Sequence, residues 1–256
     1  MKRARTIAVL LGSLFFVGAS FAAELKFVTE PFPPFSYEVA GTSKGAGPIA
    51  DVIDAVCAKI KATCSIEVLP WRRAYSMAEN GEVDGIFSFL RTPEREKLFL
   101  ISDMIVDGAI SLFAAESSTF KYSKPKDLDG YTIGVYGPSG TATVLEDTLK
   151  AGSTGRPEVD TNNVLVLKKL AGGRYGEGGK GLAVINRDVG LYLMKSEGIT
   201  GLKQVGDLQR IAYGIGFPKK KVQEAQFNEF NEALKALIKE GKVKTILDKH
   251  GMKPAA

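Results

Sequence analysis

Arg95 is the residue on which chemistry is most readily built. It closes the stretch Gly81-Glu-Val-Asp-Gly-Ile-Phe-Ser-Phe-Leu-Arg-Thr-Pro-Glu-Arg95, in which an apolar strand over 86–89 runs into a helix start. Thr92 suits the cap of that helix and Pro93 its first position, so Arg95 falls in the opening turn. Helix N-termini present unpaired N–H groups and a partial positive charge, and a guanidinium beside one makes a carboxylate receptor. A capped surface helix with a solvated arginine would carry the same residues.

Four other segments offer side chains at the junction between a strand and the next helix or loop, the edge at which open α/β sheets bind ligands. Glu30-Pro-Phe32-Pro-Pro-Phe35 follows one strand, and its prolines fix an extended loop that holds two rings, either as core plugs or as a pocket wall. Leu69-Pro-Trp71-Arg72-Arg73 places the lone tryptophan at a corner beside two cations, as packing or as an aromatic wall with Arg72 or Arg73 at its rim. In Tyr136-Gly-Pro-Ser139-Gly140-Thr141, Gly140 allows close backbone approach while Ser139 and Thr141 offer hydroxyls and N–H groups to an anion. Val184-Ile-Asn186-Arg-Asp188 ends a strand, and Asn186 or Asp188 meets a ligand's polar end unless Asp188 serves as a helix cap. Arg91 adds a further cation near the expected cleft.

The elements that must position these residues alternate. Strands are expected at Leu25–Val28, Cys64–Leu69, Ile86–Phe89, Ala109–Ala114, Thr132–Tyr136, Val164–Leu167, Leu182–Asn186 and Ile211–Phe217. Helices are expected at Ile49–Lys61, Arg72–Asn80, Glu94–Lys97, Thr141–Lys150, Val189–Ser196, Val222–Lys239 and Val243–Lys249. This alternation predicts an α/β protein with helices covering its sheets. Ala171–Gly181 is glycine-rich, but its spacing does not fit a phosphate loop, and a surface loop is expected there.

The chain has 256 residues with 34 Lys and Arg against 29 Asp and Glu. Lys2, Arg3 and Arg5 precede an apolar core over 7–17 and small residues up to Ala22, the pattern of a cleavable export signal over 1–22. Loss of its three cations leaves 31 against 29, a formal charge of +2, which gives no support for nucleic-acid binding. Cys57 and Cys64 are the only cysteines, and in an oxidising compartment a disulfide between them is favoured over two buried thiols. His250, the single histidine, lies near the C-terminus, so no nucleophile–histidine–acid set can be assembled. No cofactor or metal site stands out.

Taken in order, these segments resemble the extracellular solute-binding proteins of family 3, the soluble receptors of polar amino-acid ABC importers. The residues that carry the resemblance are Pro-Pro-Phe-Ser-Tyr (33–37), Gly-Glu-Val-Asp-Gly (81–85) with Arg-Thr-Pro-Glu-Arg (91–95), Ile-Ser-Asp (101–103), Lys-Asp-Leu-Asp-Gly (126–130), Ile-Gly-Val-Tyr-Gly-Pro-Ser-Gly-Thr (133–141) and Tyr-Gly-Ile-Gly-Phe-Pro-Lys (213–219). The resemblance implies a two-lobed, hinged, periplasmic-binding-protein-like (type II) fold. Lobe 1 would comprise 24–108 and 214–256, and lobe 2 would comprise 109–213. It implies a monomeric periplasmic receptor, with a membrane permease and its ATPase as partners. Arg95 would clamp a ligand carboxylate with Ser139, Gly140 and Thr141. Phe32 and Trp71 would sandwich the ligand, with Glu30 near its far end. Asn186 fills the slot where amino-acid binders usually carry an aspartate against the ammonium group, and Arg91 would make the cleft more cationic. A dehydratase-like enzyme and a ligand sensor for a membrane signalling protein are the competing readings of the same scaffold.

Overall fold

Short apolar runs set the strands, and capping residues decide where the intervening helices begin. The computed structural model describes residues 24–176 and 179–255, so the signal expected over 1–22 lies outside the described residues. Strand β1 (Glu24–Thr29) is followed by the short pair β2 (Tyr37–Glu38) and β3 (Gly45–Ala46). Helix α1 (Pro48–Ile60) buries Ile49, Val52, Ile53 and Val56 at helical spacing and ends on a left-handed Lys61. Next come β4 (Thr63–Val68), α2 (Trp71–Asn80), β5 (Gly85–Leu90), α3 (Pro93–Leu98) and β6 (Phe99–Ile101). The long β7 (Val106–Ala115) then leads into a second half. That half consists of β8 (Thr132–Tyr136), α4 (Gly140–Lys150), β9 (Arg156–Asp160), α5 (Asn163–Ala171), β10 (Gly181–Asn186) and α6 (Arg187–Ser196). The 17-residue β11 (Leu202–Pro218) returns the chain to the first half, where α7 (Glu224–Lys239) and α8 (Lys242–Lys249) pack on α1.

The main strands join in the order β4-β1-β5-β11-β7-β10-β8-β9, with β6 also paired to β11. Two parallel triplets, β4-β1-β5 and β10-β8-β9, flank an antiparallel pair, β11-β7. Each triplet therefore presents its carboxyl ends along one edge, and among the described residues only β7 and β11 are strands that run between the two halves. At the crossing Val106 pairs with Tyr213 and Gly108 with Ile211. Phe27, Ile53, Phe217 and Phe230 fill the core of the first half, and Ile133, Leu145, Val166 and Val184 that of the second. A smaller cluster of Val28, Trp71, Phe89, Phe99 and Ile101 lies beneath α2.

Two segments depart from the expected elements. The strand expected at Val164–Leu167 is the start of α5, because Asn162 accepts from the Leu165 N–H at 2.8 Å and caps a helix there. A run of four apolar residues fits either structure, and the cap decides. The strand of that unit is β9, Arg156–Asp160, a mostly polar edge strand containing Pro157. Likewise β11 begins nine residues before the expected Ile211, since its first part is a polar ribbon paired with β7 alone.

Cys57 and Cys64 are joined by a disulfide that ties the end of α1 to β4. Replacing both by serine is expected to lower unfolding stability by about 2–3 kcal/mol, the contribution of closing so short a loop. Guanidinium titration without reductant measures the difference, and added reductant brings the parent protein to the same value.

Candidate functional site

The carboxyl ends of the two parallel triplets face one another, and each end delivers a side chain to the space between them. A small cavity of about 30 Å³ lies there, bordered by Glu30 after β1, Trp71 after β4, Leu90 at the end of β5, Tyr136 at the end of β8 and Tyr213 on β11. Phe32, Ser88, Arg95, Ser139, Gly140, Thr141 and Asn163 complete its wall.

Arg95 dominates the electrostatics. Thr92 caps α3 and accepts from the Arg95 N–H at 3.3 Å, so the side chain leaves the first turn toward the cavity. The residue is only 8% exposed, and its Nη1 donates to the Leu90 carbonyl at 2.9 Å. Its guanidinium lies over three rings, 4.3 Å from the centre of Phe89, 5.4 Å from Trp71 and 5.7 Å from Tyr75. These faces stabilise a cation that has lost its water. Burial lowers its pKa from the usual arginine range, and nearby Tyr75, Tyr213 and Glu30 oppose the drop. Among the described residues it has no salt-bridge partner.

The N-terminus of α4 closes on this cation from the other half. Ser139 caps the helix, its Oγ accepting from the Ala142 N–H at 3.1 Å and donating to the Tyr136 carbonyl at 2.6 Å. A Cβ added at Gly140 would stand 3.1 Å from Leu90 Cδ2 and 3.7 Å from Arg95 Nη1, so a bare backbone is what lets the helix start approach. Guanidinium and helix dipole thus converge on one small volume, an anion-binding arrangement built from both halves.

Glu30 sits across the same cavity, with Tyr136 Oη donating to its Oε2 at 3.3 Å. Burial raises its pKa from 4.5 to about 8, against the lowering effects of the Tyr136 hydrogen bond and the Arg95 charge. Burial, with Glu30 beside it, raises the Tyr136 phenol well above its ordinary value. Phe32 stacks on Phe35 with ring centres 5.5 Å apart and meets the Tyr213 edge at 5.7 Å, so it serves core and wall at once. Trp71 is buried at the first position of α2.

Two expected site residues are placed otherwise. Arg91 is exposed, pairs with Glu96 at 2.8 Å and donates to the carbonyls of Ile101 and Ser102; it does not border the cavity. It follows the last residue of β5, and its pairing with Glu96 holds it at the surface. Asn186 is buried but is committed as the cap of α6, its Oδ1 accepting from the N–H groups of Asp188 and Val189 at 2.9 and 3.1 Å. Its Nδ2 donates to Tyr213 Oη at 3.2 Å. The cap expected of Asp188 is therefore made two residues earlier, and Asp188 instead pairs with Arg187. Arg72 lines an outer groove, and His250 bonds Asp51 at 2.8 Å on the surface.

Sequence reasoning missed Tyr213, Ser88, Leu90, Tyr136 and Asn163 as cavity residues. Ser88 has a left-handed φ of 57° inside β5, where the register with β11 shifts between Gly214 and Ile215. This bulge brings Ser88 Oγ to 3.2 Å from Ser36 Oγ and onto the cavity wall. Nothing in the run Gly-Ile-Phe-Ser-Phe-Leu signals it, although the polar residue between two phenylalanines was a hint.

A profile of bacterial extracellular solute-binding proteins, family 3, matches residues 25–253. The chain belongs to that family. The putative ABC transporter arginine-binding protein 2 of Escherichia coli strain K12 is 28% identical over 137 residues, covering 53% of this chain and 54% of that protein. The chain thus matches about half the length of that relative. A histidine kinase sensor domain with similarity to periplasmic binding proteins superposes with a TM-score of 0.78 at 19% identity, covering 91% of this chain and 99% of that one. The arginine-, lysine-, histidine-binding protein ArtJ from Geobacillus stearothermophilus gives 0.72 at 23% identity, covering 88% and 94%. An ancestral arginine-binding protein bound to glutamine gives 0.73 at 21%, covering 89% and 97%. These likenesses are of fold, and the fold of this solute-binding chain is the two-lobed, periplasmic-binding-protein-like one with its cleft between the lobes.

The buried Glu30 carboxyl makes the ligand-free protein pH-sensitive. Below about 4.5 the group is protonated whether the chain is folded or not; between 4.5 and about 8 only the folded chain holds the proton, so stability falls as pH rises through that window. Glu30→Gln is neutral throughout. Its melting temperature is expected to match the parent's in acid and to exceed it by a few degrees above pH 8 in thermal scans across pH. Asn186→Ala removes the α6 cap and is expected to cost about 1 kcal/mol in denaturant titration.

Proposed function

We propose that this chain is a periplasmic receptor that captures a small carboxylate-bearing solute, a polar amino acid among the candidates, and delivers it to an ABC permease and its ATPase. The observation that carries this reading is the buried Arg95 guanidinium, which has no carboxylate partner among the described residues and faces the α4 N-terminus. Uncompensated burial of a charge is expensive, and a ligand carboxylate supplies the missing partner. Ser139, Gly140 and Thr141 meet the same carboxylate from the opposite lobe. Phe32 and Trp71 flank the body of the solute, and Glu30 stands further along it. Arg91 and Asn186 drop out of the ligand set. Membership of the family and a relative named for arginine binding support an amino-acid-like ligand.

In this reading lobe 1 comprises 24–108 with 214–256, and lobe 2 comprises 109–213. The support for these limits is that the chain passes between the halves only along β7 and β11, whose Val106–Tyr213 pairing lies at the crossing. Bending there opens the cleft. A solute that touches both lobes favours the closed arrangement, which the permease then recognises.

Arg95→Ala is expected to weaken binding by about 100-fold or more, since a buried carboxylate left without its partner costs ~3 kcal/mol or more. Calorimetry against amino acids and small carboxylates measures this, with circular dichroism to verify the fold. Unchanged affinity removes Arg95 from the role.

A further inference from the structure

The cavity around Arg95 has a volume of about 30 Å³, room for a head group of a few atoms and little else. It does not end blindly. Glu30, Trp71, Tyr136 and Asn163 border both this cavity and a second, larger space of about 860 Å³ that runs outward between the lobes. Pro31, Leu69 and Pro70 form one side of this groove, and Pro138, Val164 and Leu193 form the other. Leu69 and Leu193 are buried, whereas Pro31, Pro70 and Pro138 are exposed, so apolar surface continues from the mouth of the cavity toward solvent. Three of these six residues are prolines, whose fixed φ makes a wall that loses little entropy when a ligand lies on it. Charge appears only at Glu38 and Arg72 among the lining side chains beyond Glu30.

We infer that the solute is elongated, a monocarboxylate whose head reaches Arg95 and whose largely apolar body passes the Trp71–Tyr136 gap into the outer groove. The inference rests on the carboxylate-receptor reading given above and names the class of solute within it. A head group that fills the inner cavity leaves no room there for a long side chain, so anything attached must leave through the shared wall. Beyond that wall the surface is mostly apolar, with Glu38, Arg72, Thr161 and Asn162 as its polar members, and an apolar ligand body is what gains from covering the apolar part. Burial raises the Glu30 pKa to about 8, and an uncharged carboxyl at the mouth does not oppose passage of an apolar chain.

The test is calorimetry of the protein against straight-chain monocarboxylates from acetate to decanoate, with glycine and arginine as short and cationic comparators. Affinity is expected to rise about fourfold for each methylene that enters the groove, and then to level off. Val164→Trp, which fills the groove from a half-buried position on α5, is expected to flatten that rise. Val164→Gln, a smaller and polar replacement, should reduce its slope and stands in if the tryptophan variant does not fold. Equal affinity for short and long carboxylates, tighter binding of arginine than of any long monocarboxylate, or a slope untouched by both variants overturns the inference while leaving a carboxylate receptor in place. Absence of binding by every carboxylate and amino acid tried overturns both readings.

Discussion

A guanidinium taken out of water without a counter-ion is the constraint around which the rest of the molecule is arranged. Desolvation of a single charge costs several kcal/mol even after relaxation, and the Arg95 site meets that cost with what is at hand. One carbonyl, that of Leu90, accepts from Nη1, and the faces of Phe89, Trp71 and Tyr75 lie against the charge. Those rings belong to the small apolar cluster beneath α2, or pack against it, so the cation rests on rigid packing. What remains unmet is an anion, and the shape of the site leaves space for one.

The sheet arrangement explains why such a site arises between lobes and not within one. Two parallel triplets turn their carboxyl ends toward each other, and at each end the chain must pass from strand to loop or helix. Every such junction leaves N–H groups, caps or corner side chains unused by the ladder. Glu30, Trp71, Ser139 and Asn163 all stand at junctions of this kind. Among the described residues the antiparallel pair β7–β11 supplies the only strands that run between the two sets. The site is therefore lined from both halves of the molecule.

Local chemistry made much of this legible in the chain itself. Thr92-Pro93 before Arg95 and Ser139-Gly140 before a helical stretch are signals read over three or four residues, and both helices begin where those residues require. Cys57 and Cys64, separated by a short turn, were close enough to pair whatever else the chain did. The reading failed where one local pattern fitted two structures or a polar side chain had two possible uses. Val164–Leu167 has no periodicity of its own, and Asn162 decided its helix. Asn186 looked free to meet a ligand, yet two N–H groups of its own helix and the hydroxyl of Tyr213 use its amide. The resemblance implied a lobe boundary at Tyr213, but no local pattern shows that its ring borders the cavity.

The amino-acid sequence by itself determined the alternation of strands and helices, the caps that start them and the residue types gathered at their junctions, because each of these depends on neighbours within a turn or a strand. Tertiary structure alone decided which junctions meet. It turned Arg91 outward to Glu96 and Arg95 inward to the rings, although the two are four residues apart. It also set Glu30 beside Tyr136, 106 positions away, and raised its pKa by burial. Burial and charge pairing are properties of surroundings assembled from remote segments, and no local pattern encodes them.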